Sequence, residues 1–209
     1  MVSAPRSRTL PSGQPRPRYD QDTLLAVAAE VFTERGYDGT TMEHLSQASG
    51  LSKSSIYHHV EGKEQLLRLA LERALDPLLA SLDADDVRTG RAVDRLKHLV
   101  RRDVEILAER LPYVTLLLRV HGNTETERWA LDQRRRFDRR VAALVQEAID
   151  AGDVRSDVDA RTTAHLVFGL VNSVVEWYRP GKNRMVASLA DQIVSMVMNG
   201  IRAEPRVAP

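Results

Sequence analysis

The chain of 209 residues contains no cysteine, which excludes a disulfide framework and any metal site built on thiolates. It lacks a charge excess as well. With 30 Lys and Arg against 29 Asp and Glu, the net charge is only +1, so a nucleic-acid partner would require basic groups concentrated locally. No apolar run approaches the ~20 residues that span a bilayer, and the basic N-terminus is not followed by the apolar stretch of a secretory leader. A cytoplasmic protein with no membrane partner is expected. Also missing are a Gly-rich phosphate loop, a G-x-S-x-G elbow, an H-E-x-x-H pair and a metal-ligating carboxylate–histidine set. These absences argue against an enzyme, and no cofactor or metal is expected. The acids Asp83, Asp85 and Asp86 do not have the spacing of an EF-hand and lack its closing Glu, so 82–89 reads as a solvated connection.

What is present centres on the stretch from Thr40 to Lys63. Two short apolar-periodic segments meet at Gly50, each too short to be a stable helix alone. Thr40 is placed to cap the first, with Glu43 three residues on completing a capping box and Met42, Leu45 and Ala48 forming its apolar face. Gly50 supplies a tight bend. Ser52 then caps a second helix whose Ile56 and Val60, four apart, point back at the first. That is a helix-turn-helix pattern. The second helix leaves Lys53, Ser54, Ser55, Tyr57 and His58 off its buried side, so small donors and a cation sit where base edges and phosphates are met. Lys53 can reach a guanine edge or a phosphate, and Tyr57 and His59 add donors further along.

The ordered series Phe32, Gly36-Tyr37, Thr40-Thr41, Ala48-x-Gly50-Leu51-Ser52, Tyr57-x-His59 and Lys63-Glu64 resembles the DNA-binding domain of TetR/AcrR-family transcription regulators over Tyr19 to Leu67. The resemblance implies an all-α chain: a three-helix helix-turn-helix domain at 19–66, then a helical bundle at 67–204 for effector binding and dimerisation. It also implies roles. Thr41 would meet a phosphate, Lys53, Ser54, Ser55 and His58 would face bases, and Tyr57, His59 and Lys63 would hold the backbone of a double-stranded operator. Ser52 belongs to the same surface as the cap of that helix. Val60 stands where the family more often has Phe, and His58 where it often has an aromatic.

Around this core the chain reads in order. Residues 1–18 hold four Pro and four Arg and no acid, which predicts a mobile basic arm. Leu24, Ala28, Val31 and Phe32 mark the third helix of the reading head, ending at Gly36. A long helix follows Lys63, with Leu67, Ala70, Leu71, Ala74 and Leu78 on one stripe and Pro77 expected to kink or shorten it. Helices are expected at 90–110, broken by Pro112, and at 124–151, with Phe137, Val141, Leu144, Ala148 and Ile149 inward. The arginines at 134, 135, 136, 139 and 140 read as a solvated face, with a second nucleic-acid patch as the sharper alternative.

The last two helices are expected at 158–178 and 185–202, split by Arg179-Pro180-Gly181. The first is apolar almost all round and the second carries Met185, Leu189, Ile193, Met196 and Val197. A helix apolar on every side must be buried on every side, so a homodimer is expected through Val171, Val175, Leu189, Ile193, Met196 and Val197. In the family an effector enters among the middle helices. Phe168 and Asn172, one turn apart, are the candidates for that pocket, because a buried amide needs a partner. The phrase from Trp177 to Gly181 is similar to a subgroup tied to acyl-CoA and steroid catabolism, which adds Trp177 and, as a cation for phosphates, Arg101, Arg102 or Arg119, with Arg119 named for the site. The resulting expectation is a ligand-responsive repressor with an acyl-CoA thioester as its leading effector. A generic apolar molecule or drug is the alternative effector, and an enzyme or a helical scaffold that binds no DNA is the rival class.

Overall fold

The structure is a computed structural model that describes residues 21–180 and 183–202, without the side chains of 183–185. The arm expected at 1–18, Gly181 and the Met185 side chain lie outside the described residues. Within them every regular element is a helix, apart from a single antiparallel bridge between Val154 and Arg202. No described helix is long and apolar enough to cross a membrane.

Helix α1 (Gln21–Arg35) buries Leu24, Leu25, Ala28, Ala29, Val31 and Phe32 and stops at Gly36, whose φ of 70° is a left-handed conformation that glycine adopts without strain. Helices α2 (Met42–Ser49) and α3 (Lys53–Tyr57) pack beneath it. The five residues of α3 would not stay helical alone; Ile56, fully buried, pins them. Replacing it by Ala would cost about 2–5 kcal/mol, a large share of the stability of such a unit.

Two details correct the expectations. The cap of α2 is Thr41 and not Thr40: Thr41 Oγ1 accepts from the His44 amide at 3.2 Å, and His44 Nδ1 accepts from the Thr41 amide at 3.3 Å. Thr40 is buried and donates to the Gly36 carbonyl at 2.7 Å, so its hydroxyl is already spent closing the turn after α1. The buried face of α2 therefore runs through Leu45 and Ser49, and Ala48 is exposed.

Helix α4 (Lys63–Ser81) crosses the expected domain boundary without interruption. It also continues past Pro77 for four residues, so the proline neither ends nor shortens it. The acidic connection contains a one-turn helix, α5 (Asp85–Arg88), that tucks Val87 against the core. Helices α6 (Ala92–Glu109) and α7 (Leu111–Arg119) follow; Pro112 lies in the first turn of α7, where its missing amide costs nothing.

Helix α8 (Glu125–Asp150) spans 26 residues, about 39 Å at 1.5 Å per residue. Its start is capped by Thr124, which accepts from the Glu127 amide at 3.1 Å, and Glu127 accepts in return from the amides of Asn123 and Thr124. The expected helix at 158–178 is two elements, α9 (Ala160–Asn172) and α10 (Val174–Trp177), divided at Ser173. Helix α11 (Asn183–Ile201) packs along α6 and touches α9.

The terminal helices are not sealed on all sides by this chain. Leu166 is 70% exposed on α9 and Met196 65% exposed on α11. Conversely Val171, Ile193 and Val197 point into the protomer's own core. As positions for a dimer contact they are corrected, because a side chain already buried in one chain has no surface left to offer a second. Val175 and Leu189 are half-buried against the core.

Candidate nucleic-acid interface and effector cavity

The outer surface of the reading head is short and polar. Lys53 and Ser54 open α3, Tyr57 closes it, and His58 and His59 follow, all five exposed. Ser52 caps the helix by accepting from the Ser55 amide at 3.1 Å, and the Ser52 and Ser55 hydroxyls share a hydrogen bond of 2.9 Å. Thr41 uses an oxygen lone pair for its own cap, which leaves its O–H to donate outward.

Lys53 is not idle in the free protein. Its ammonium lies 2.5 Å from a carboxylate oxygen of Glu43 on α2. The hydrogen bond and charge of Lys53 hold the Glu43 carboxyl below its ordinary range, and Glu43 raises Lys53 in turn. An anion therefore sits where phosphates would approach. Glu43→Gln is expected to free Lys53 and remove that repulsion, tightening operator binding a few-fold and steepening its salt dependence by about one counterion. Anisotropy titrations at several salt concentrations check this, and unchanged affinity would show that the pair does not compete with DNA.

Lys63 occupies a different position from the one the resemblance implies. Its ammonium donates to the carbonyls of Tyr37 at 2.8 Å and Thr40 at 2.9 Å, and it sits 4.0 Å from the centre of the Tyr37 ring. Two of its three hydrogens are thereby spent inside the protein. This lysine is a latch that ties the start of α4 to the turn between α1 and α2, and its removal would act on the posture of the reading head before it acted on any phosphate.

Further contacts tie the head to the body. Tyr113 on α7 donates to the Asp22 carbonyl at 3.3 Å, Arg73 on α4 pairs with the Asp22 carboxylate, and Thr126 on α8 donates to Glu64 at 3.0 Å. Arg68 stacks its guanidinium on Trp129, 3.2 Å from the ring centre.

Where α4, α6, α7, α8 and α9 converge lies a cavity of about 60 Å³. Its walls are mostly apolar: Ala74 and Leu78 from α4, Ile106 and Leu107 from α6, Val114, Leu117 and Leu118 from α7, Phe137 from α8 and Val171 from α9. Phe168 and Asn172 both line it, Phe168 meeting Phe137 edge to face with ring centres 5.2 Å apart. That space is well short of the ~300 Å³ or more of a drug-sized site. A larger ligand would have to widen it.

Two other expected effector residues are elsewhere. Trp177 is 54% exposed on α10 and contributes nothing to this cavity's wall. Arg119 lines a separate hollow of about 460 Å³ between the turn after α1 and the end of α7, beside Phe32, Tyr37 and His121. Arg101 is paired with Asp191 and Arg102 with Glu105, both outside the cavity. The basic run on α8 divides likewise: Arg135 meets Asp132, Arg136 Gln133 and Arg140 Asp83, all near the surface.

Two polar residues of the cavity, Asp103 and Asp138, escaped the sequence reading, and a third, Arg134, is corrected from a solvated face to the cavity wall. Arg134 donates to the Leu117 carbonyl at 3.2 Å, and burial holds its guanidinium below the usual value against the charge of Asp138. A signal for Asp103 was available. It sits on α6 between Leu99, Val100 and Leu107 in the apolar stripe, where a carboxylate has no ordinary reason to be.

Residues 24–70 match the family described as bacterial regulatory proteins, tetR family, and residues 89–201 match the tetracyclin repressor-like C-terminal domain. The crystal structure of SCO3833, a TetR-family regulator from Streptomyces coelicolor A3, is 58% identical, with a TM-score of 0.82 over 87% of this chain and 92% of that one. The transcriptional repressor KstR2 of Rhodococcus jostii is 27% identical over 85% of this chain and 89% of its own. The fold is shared too with the structure of the ketosteroid transcriptional regulator KstR2 of Mycobacterium tuberculosis, 24% identical with a TM-score of 0.77 over 90% of this chain and 98% of that one. With more than half of its length inside the C-terminal match and its reading head inside the N-terminal one, the chain belongs to the TetR family of DNA-binding transcriptional regulators.

Proposed function

We propose that two copies of this repressor hold a palindromic operator through the surface of α3, and that a small organic effector releases it by widening the cavity of the bundle. One observation carries the reading. The cavity is walled by α4 and α7, and these are the helices on which α1 of the reading head rests. A ligand that pushes Leu78 or Leu117 outward therefore shifts the support of the head, and Lys63 and the Asp22 contacts pass that shift on. Only differential affinity does this work: the effector must prefer the non-binding spacing of the two heads.

The polar lining bears on the effector. An acyl-CoA carries several phosphates that need cations, and the cavity offers one guanidinium, Arg134. Its walls are suited instead to the alternative, a compact and largely apolar molecule with a single polar end.

The test is a titration of the full-length protein against the DNA upstream of its own gene. Saturation at two chains per palindromic site is expected, with release when a cavity ligand is added. Failure to bind that DNA above the level of random sequence at about 150 mM salt would overturn the reading.

A further inference from the structure

Asp103 is 5% exposed, lines the cavity, and its Oδ1 has no hydrogen-bond partner. An unpartnered buried carboxyl destabilises the chain that keeps it. Its neighbours do not relieve it. Arg134 already faces Asp138 and donates to a backbone carbonyl, and Asn172 is neutral. The lining residues of α4 and α7 carry no charge at all. Two carboxyl groups thus share the lining with one guanidinium, and the unpartnered acceptor belongs to a residue of the same wall as Phe137 and Phe168.

A cation completes this set in three ways. It donates to the free oxygen, it balances the charge that Asp103 takes on when it ionises, and it is attracted by aromatic ring faces. A hydroxyl achieves only the first. We propose that the effector is a compact apolar amine, whose ammonium donates to Asp103 while its hydrocarbon part lies against Phe137 and Phe168. The proposal rests on the cavity being the effector site.

Burial holds the Asp103 carboxyl well above the usual carboxylate range, with only the exposed Arg102 opposing it. The other charged groups facing the cavity are Arg134 and Asp138 on α8. Asp103 is therefore protonated in the empty protein to a higher pH than an ordinary carboxylate. Binding an ammonium ionises it and releases that proton, so affinity rises with pH through the range where the empty site titrates.

The experiment is calorimetric titration of the full chain with hexylamine, hexanol and hexanoate. Hexylamine is expected to bind at least about tenfold more tightly than the other two, a difference of ~1.4 kcal/mol, with proton release that grows as pH falls. Asp103→Asn should erase the preference, and Ala74→Trp, which fills the cavity, should remove binding of every probe. Asp103→Leu tests the same carboxyl without any ligand: its melting temperature should exceed the wild type's, because the unpartnered polar atom is gone.

Equal binding of hexanol, an amine preference that survives Asp103→Asn, or no gain in stability for Asp103→Leu overturns the amine proposal. If the tighter probe is still excluded by Ala74→Trp, the cavity remains the effector site. If none of the three binds, or if Ala74→Trp leaves binding intact, the cavity reading falls with it.

Discussion

The double variant Lys53→Ala, Tyr57→Ala is expected to lose operator affinity by roughly a hundredfold or more, because two base or phosphate contacts at about 1–3 kcal/mol each disappear together. The two side chains open and close α3 four residues apart, so they share one face of its single turn. Both are exposed, and their removal takes nothing from the core formed by Leu45, Ile56 and Val60. The loss is more than two contacts. Without Lys53, Glu43 stands uncompensated at the same surface and repels the phosphates that Lys53 would have met. Salt dependence should become shallower by about two counterions if both residues meet backbone. Anisotropy across salt concentrations measures affinity and slope, while circular dichroism confirms that the fold is intact. Wild-type affinity in this variant would remove α3 from the interface.

The reading head was legible to the extent that its signals are local. Gly50 takes φ 68° at the bend, Ser52 caps α3, and Ile56 and Val60 are buried, each fixed by the residue's own chemistry and its near neighbours. Thr40 and Thr41 show where local chemistry stops deciding. Both are adjacent capping residues with an acceptable third residue downstream, and the choice falls to the turn after α1, which draws the Thr40 hydroxyl onto the Gly36 carbonyl. The Lys63 ammonium then takes the carbonyls of Tyr37 and Thr40, contacts that span 26 and 23 residues and leave no periodic trace.

The cavity was half legible for the same reason. Phe168 and Asn172 share one helix, so their spacing places them together. That Arg134 from α8 and Asp103 from α6 converge on the same space depends on how three helices cross. Trp177 and Arg119 were drawn toward the effector by chemistry alone, and the end of α10 and the far side of α7 put them elsewhere. The terminal helices were misjudged in a more instructive way. Apolar residues all round α9 correctly require more than one covering surface, but periodicity does not say which face the chain covers itself. Its own core takes Val167, Phe168 and Val171, and Leu166 is left outside.

That partition decides the second expected result. Leu166→Asp combined with Met196→Asp should yield folded monomers that no longer hold an operator tightly, whereas Ile193→Asp should fail to fold. Leu166 and Met196 are large apolar side chains left in solvent on two helices that touch each other. A second copy related by a two-fold axis, the commonest closed symmetry, would bring both pairs together as a four-helix contact. Asp at either position then places a charge opposite its own symmetry mate in an apolar contact, while in the monomer it merely meets water. Ile193, only 4% exposed, lies in the core shared with α6, so Asp there buries an unpaired carboxylate, among the few substitutions that cost most of a domain's ~5–15 kcal/mol. DNA binding follows assembly. A palindrome with half-sites about 34–36 Å apart, or a multiple of that, needs two reading heads at fixed spacing, and a monomer supplies one. Sedimentation at micromolar concentration, circular dichroism and operator titration separate the cases. A wild-type monomer would remove the two-fold contact altogether, and a Leu166→Asp, Met196→Asp variant that stays dimeric would place it on some other face of the molecule.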